Sequence, residues 1–208
     1  VKSTFSKYSG MRNHMGLRGA QAAERVLHGA GIYDVRIERV AGNLTDHYDP
    51  RNKVLRLSDA TYGQCSVAAV GVAAHECGHA IQHARGYAPL QFRSALVPVA
   101  NFGSMIAWPL IVLGLFINSQ SSAMIINIGI LAFSLAVLFQ LVTLPVEYNA
   151  SGRAVRILAE TGMMQGEEIV ATKKVLNAAA LTYVASAAAA ILQLVRILIL
   201  TGGRRRDD

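Results

Sequence analysis

The chain changes character near its middle. From about Leu96 to Ile117, and again from Ala123 to Val146, no Asp, Glu, Lys or Arg occurs. Each run exceeds the roughly 20 residues a helix needs to cross the hydrocarbon of a bilayer. The pattern therefore predicts two transmembrane helices joined by the short polar turn Asn118–Ser122. Two buried helices of a water-soluble domain would need a larger core than 208 residues can wrap. A third apolar stretch, about Ala178 to Leu200, is rich in alanine, which suits close helix packing, but contains Arg196. It is expected to be a third transmembrane or membrane-associated helix, followed by an exposed, headgroup-contacting tail, residues 201–208, with Arg204, Arg205 and Arg206.

The first half carries shorter periods. Across residues 18–30, Leu17, Ala20, Val26 and Leu27 fall at roughly helical spacing, with Gly29 and Gly31 as stops. Tyr33 to Val40 alternates apolar and charged positions, the period of a half-buried strand. Leu44–Tyr48 and Lys53–Leu57 flank Asp49-Pro50-Arg51-Asn52, where a proline at the second turn position presets the backbone for a β-hairpin. A helix follows from about Ser66, a plausible N-cap, to Ala84, with Gly86 as its stop.

Composition agrees with a membrane protein. Hydrophobic residues make up 52% and charged residues only 16%, against roughly 25% charged in soluble domains. The net charge of +7 is scattered and carries no nucleic-acid-binding motif, so a lipid surface is the expected partner and nucleic acid is not. Residues 1–95 hold twelve Lys and Arg and residues 147–177 hold four, while the Asn118–Ser122 turn holds none. The positive-inside rule thus puts both larger segments in the cytoplasm. A full third crossing would leave the triple arginine outside, in conflict with that count. Cys65 and Cys77 lie twelve residues apart on or beside one helix, too far for a disulfide, as in a reducing compartment. Cys77 reads as a small buried hydrophobe, some 160° round the helix from His75 at about 100° per residue.

The chemistry concentrates in His75-Glu76-Cys77-Gly78-His79, the HExxH pattern. Residues four apart on a helix share a face, so both imidazoles can reach one metal ion, with the carboxylate between them placed to take a proton from water. His75 and His79 read as zinc ligands and Glu76 as the general base of a metal-assisted hydrolysis. His83 extends the ladder but would stand about 12 Å along the axis from His75, too far for a third ligand. His47, in the hairpin, reads as half-exposed polar surface. A catalytic site needs a third ligand and an open position. After His79 the next acidic residue is Glu147, directly past the second apolar run. If both segments lie on one side of the membrane, Glu147 is the best placed to return. Glu160, Glu167 and Glu168 are rivals that look like solvated helix-end charges.

Leu44–Pro50, Gly71–Ala84, Gly86–Leu90, Ser94–Asn101, Leu144–Glu147 and Val175–Val184 together resemble the YugP-type, or neutral zinc, metallopeptidases of bacterial and archaeal membranes. The resemblance covers nearly the whole chain. It implies His75, His79 and Glu147 as Zn2+ ligands with Glu76 as base, the gluzincin-like set of the related HtpX and CAAX prenyl proteases. It also implies a membrane helix ahead of Val1, and the start at Val1 rather than methionine suggests an upstream segment. Asn149 stands where such proteins usually show an aspartate, and Ser151 where soluble relatives carry an acid.

The resulting expectation is an α+β chain: a mainly helical, zincin-like metalloprotease domain with a small β-sheet or hairpin, plus two to three transmembrane helices. Residues 1–95 and 147–177 would form the cytoplasmic catalytic domain, 96–146 a transmembrane hairpin and 178–200 the third helix. The function expected is an integral-membrane endopeptidase of a prokaryotic plasma membrane. Its partners would be a peptide or protein substrate and lipid, with a membrane protein or a second copy of the chain left open. Tyr148, Tyr183 and His83 are candidates for the further oxyanion donor that peptide hydrolysis needs. Two rivals are a site-2-type protease with its metal inside the bilayer and a non-catalytic scaffold that binds zinc for structure. Arg85 and Arg93, ahead of the first long span, weigh against the first, and the intact Glu76 against the second.

Overall fold

The computed structural model describes residues 1–117 and 121–202. Asn118, Ser119 and Gln120 of the expected polar turn and the triple-arginine tail lie outside them. Among the described residues seven helices and three strands follow in order: α1 (Lys2–Ser9), α2 (Gly19–Gly29), β1 (Arg36–Val40), β2 (His47–Asp49), β3 (Val54–Ser58), α3 (Asp59–Tyr62), α4 (Val67–Ala84), α5 (Ala88–Phe116), α6 (Ser122–Glu160) and α7 (Glu167–Gly202). The fold is α+β and mostly helical.

The chain divides into two compact units, one of residues 1–87 and 146–182, the other of 88–145 and 183–208. In the first, β3 is the middle strand of the order β1-β3-β2, parallel to β1 and antiparallel to β2. Val54, Leu55 and Leu57 of β3 are fully buried, and Leu55 and Leu57 join a core built from Val26 and Leu27 of α2, Val70, Ala74 and Cys77 of α4, and Leu158 of α6. The middle strand is thus covered on both faces, while β1 and β2 are half-covered. Ser66 caps α4 by accepting from the Ala69 N–H at 3.1 Å, and Gly86 takes φ +61° just past its end.

In the second unit α5 and α6 approach through small residues. A Cβ on Gly103 would stand 2.6 Å from the Ala132 carbonyl oxygen, and one on Gly129 would stand 3.0 Å from that of Ala107. Such contacts let helix backbones close up where no water drives them together. Among the described residues three helices, α5, α6 and α7, are long and apolar enough to cross a membrane.

Some boundaries differ from the sequence expectation. Residues after Glu147 continue α6 as helix to Glu160, because Val146, Ala150, Ala154 and Leu158 form a fully buried stripe at spacing four. The third apolar helix begins at Glu167, well before Ala178, and the first at Ala88. Glu168 is no solvated helix-end charge. It is 8% exposed, and its carboxylate accepts from the His14 N–H at 2.6 Å and meets His14 Nδ1 at 2.8 Å.

The β2–β3 turn is held by Asp49. Its carboxylate accepts from the backbone N–H groups of Arg51 and Asn52 at 3.0 and 3.2 Å and from the Asn52 side chain at 2.8 Å. The Asn52 bonds lead in pulling its pKa from 3.8 down to about 2. A depressed folded-state pKa stabilises above the unfolded value and ceases to do so as pH falls through the folded one. Hydrogen exchange of the β2–β3 amides should therefore be faster in Asp49→Ala than in the parent at pH 6, with the difference fading as pH drops from about 4 towards 2. A difference that does not change with pH would show that the turn does not depend on the ionised carboxylate.

Candidate metal centre

Helix α4 is made largely of small residues, and Gly78 sets its distance to α6. A Cβ there would lie 2.6 Å from the Ala150 carbonyl oxygen and 3.0 Å from Ala150 Cα. The two backbones touch at this point, one residue before His79 and three after Glu147. Four side chains consequently share a small volume: His75 and His79 from α4, Glu147 and Ser151 from α6.

His75 Nε2 stands 3.2 Å from Glu147 Oε2, and His79 Nε2 stands 3.5 Å from the same oxygen. The ligand-capable atoms of the three residues lie within 4.8 Å of one another. The imidazoles are edge to face with centroids 4.8 Å apart. Glu147 is 2% exposed. These separations fit zinc: nitrogen and oxygen ligands about 2.0–2.1 Å from a tetrahedral ion stand about 3.3–3.4 Å from each other.

The outer ring nitrogens are engaged as well. His75 Nδ1 lies 3.0 Å from Ser151 Oγ, and His79 Nδ1 lies 3.1 Å from Gln82 Oε1. The orientation of Gln82 follows from its other bonds, since its amide nitrogen donates to the Val146 carbonyl at 2.8 Å and to Asn149 Oδ1 at 3.0 Å. Asn149 Oδ1 also accepts from Arg153 Nε at 2.7 Å, so it can only be the oxygen. Gln82 Oε1 is therefore an acceptor, and His79 Nδ1 must carry a proton. In the neutral ring this leaves the lone pair on Nε2, directed at the cluster. Burial opposes charging His79, but the Glu147 hydrogen bond and the charges of Glu76 and Glu147 outweigh it and raise its pKa above the usual value. Protons thus compete with a metal ion for that nitrogen.

Glu76, between the histidines, is half-buried and makes no hydrogen bond or ion pair among the described residues. Cys77 points into the core, where burial pushes its thiol well up, as expected of an inert packing residue. His83 is exposed, and its Nδ1 lies 2.9 Å from the Tyr48 hydroxyl. Burial, with Asp34 and Asp49, pushes that phenol up to about 12. Tyr148 is 47% exposed beside Glu147, and Tyr183 belongs to the second unit. His47 is exposed and bonded to the Thr45 carbonyl, and exposed Glu160 lies 3.6 Å from Arg156. Neither joins the cluster. Gln82 and the packing role of Gly78 are additions to the sequence reading. The four-residue spacing of Gly78 to Gln82, on the face that carries His79, is the only local signal of either.

A family model described as "Putative neutral zinc metallopeptidase" matches residues 1–202. "Putative membrane protease YugP" of Bacillus subtilis (strain 168) is 47% identical over 205 residues, which cover 98% of this chain and 90% of that protein. No solved structure matches the chain.

Two substitutions test the construction of the centre. Gly78→Ala gains about 1 kcal/mol of helix propensity but forces a methyl onto a backbone carbonyl that cannot turn aside, at a cost of about 1–3 kcal/mol. It should lower the melting temperature and weaken zinc binding, and a variant as stable and as tight as the parent would refute the close approach. Gln82→Leu removes the acceptor for His79 Nδ1. Competition with a chromophoric chelator should show zinc affinity reduced about 10–100-fold, and an unchanged affinity would exclude Gln82 as the group that orients His79.

Proposed function

The chain belongs to this neutral zinc metallopeptidase family, and on that premise we propose that it is a membrane-embedded zinc endopeptidase cleaving proteins near the bilayer. The observation that carries the reading is the cluster of His75, His79 and Glu147, whose 3.2 and 3.5 Å separations match the edges of a zinc tetrahedron. His75, His79 and Glu147 would hold the ion, which when bound would supply Lewis acidity towards a carbonyl and make water acidic enough to attack near neutral pH.

The remaining steps fall to the protein's own groups. Glu76, which makes no hydrogen bond or ion pair among the described residues, accepts the proton of the attacking water on its carboxylate. It then delivers that proton to the amine nitrogen as the C–N bond breaks. Ser151 and Gln82 keep the two imidazoles facing the centre throughout. Tyr148 on α6 and His83 on α4 are donors proposed for the developing oxyanion. Substrate backbone is held by strand addition, for which β2 supplies an open edge. Tyr48 of β2 bonds to His83, one turn past His79, so this edge runs beside the metal helix.

Membrane insertion accounts for the apolar surface that the fold leaves uncovered. Only 28%, 22% and 11% of the most apolar windows of α5, α6 and α7 are buried, and Phe102, Met105, Leu131, Leu192 and Ile199 are all at least 60% exposed. Water would not tolerate so large an apolar face, whereas lipid chains cover it. The excess of Lys and Arg in residues 1–95 supports a catalytic unit that faces the cytoplasm.

Glu76→Gln, purified in detergent, should bind zinc as the parent does and lose cleavage of casein or a quenched peptide by on the order of a hundredfold or more. Persistent cleavage, or zinc lost together with activity, would overturn the role given to Glu76.

A further inference from the structure

Away from the metal centre, α1 and α7 of the first unit enclose a surface cavity of about 490 Å³. Its lining includes Thr4 and Lys7 of α1 and Lys174, Asn177, Ala178 and Leu181 of α7. We propose that this cavity binds an anionic phospholipid, with the phosphate on Lys7 and Lys174 and the upper acyl chain along Ala178 and Leu181.

Three observations support this assignment. The first is where the cavity sits along α7. Lys174 is the last charged residue before a run, residues 175–195, without Asp, Glu, Lys or Arg. Lys174, Ala178 and Leu181 follow at spacings of four and three on one face. The wall therefore turns from cationic to apolar over two helical turns, in the order in which a lipid passes from headgroup to chain. Leu181 is 60% exposed, so the apolar end is open.

The second is charge. Neither lysine has a carboxylate partner among the described residues, and the Lys7 ammonium rests 5.5 Å from the centroid of the Tyr8 ring. Thr4 and Asn177 add neutral hydrogen-bonding groups beside them. A phosphodiester supplies the negative charge that such a wall lacks, and acceptor oxygens for its donors. The third is rigidity, because Phe5 packs with Ala68 of α4 and Val175 of α7, which fixes α1 against the rest of the unit. A soluble phosphate would leave the apolar half of the cavity without use, so the lipid is the occupant the wall fits. This inference rests on the proposed insertion of α7 and is independent of the peptidase reading.

The test is native mass spectrometry of the delipidated protein in detergent, titrated with phosphatidylglycerol or with phosphatidylcholine of the same chains. Lys7→Gln/Lys174→Gln should lower phosphatidylglycerol affinity about thirtyfold and leave phosphatidylcholine binding unchanged. Lys2→Gln/Lys173→Gln removes the same charge from residues that do not line the cavity and should change little. Leu181→Asn, at an exposed position, should weaken phosphatidylglycerol severalfold and serves even if the double variant folds poorly. Equal losses in both double variants would reduce the effect to diffuse charge and overturn the proposal. Displacement of the lipid by inorganic phosphate at matched ionic strength, with Leu181→Asn inert, would overturn it in favour of a free-anion site. Zinc content provides the separate readout, since it should be unchanged in every variant whether or not the protein is a peptidase.

Discussion

The centre depends on one contact without side chains, the meeting of Gly78 with the Ala150 backbone. A glycine inside a helix costs about 1 kcal/mol relative to alanine, and α4 accepts that cost at the point where any larger residue would hold α6 away. Two ligands come from one side of the contact and the third from the other, so the spacing between helix axes is also the spacing between ligand atoms. Gly71, two turns earlier, leaves room for a side chain instead, that of Thr172 on α7, since a Cβ there would stand 3.0 Å from Thr172 Cγ2. The small residues of α4 therefore serve geometry more than helix stability.

Around that contact the polar groups form a chain with one consistent direction. Arg153 can only donate, which makes Asn149 Oδ1 an acceptor. This and the Val146 carbonyl turn the Gln82 nitrogen outward, and Gln82 Oε1 in turn fixes the proton on His79. Gln82 has no exposed surface, so each missing partner would cost on the order of 1–3 kcal/mol. The asparagine at 149, where an aspartate was the expected residue, thus acts one bond further out, on the amide that holds the ring.

The sequence allowed most of the architecture to be read where the signal is local. Long uncharged runs marked α5, α6 and α7, alternation marked β1, and Asp49-Pro50 marked the hairpin. The pairing of His75 with His79 was legible because a helix brings residues four apart together by itself. Glu147 was found by order along the chain, as the first acid after the second apolar run. Gln82 was missed because its role depends on a carbonyl 64 residues away, and no periodicity encodes such a pairing. Glu168 was misread for the same reason, since its partner His14 lies 154 residues earlier. The short helices α1 and α3 were also missed, having too few turns to show a period.

The two cysteines differ in a way that matters at the bench. Cys77 is fully buried with its Sγ 3.5 Å from the Ala23 carbonyl and its thiol held neutral, whereas Cys65 keeps partial exposure near the start of α4. Thiolate is the form that alkylating reagents attack, so in the folded protein Cys65 is the single target for a maleimide fluorophore or spin label. A reporter can thus be attached at the entrance to the metal helix without mutating the native chain.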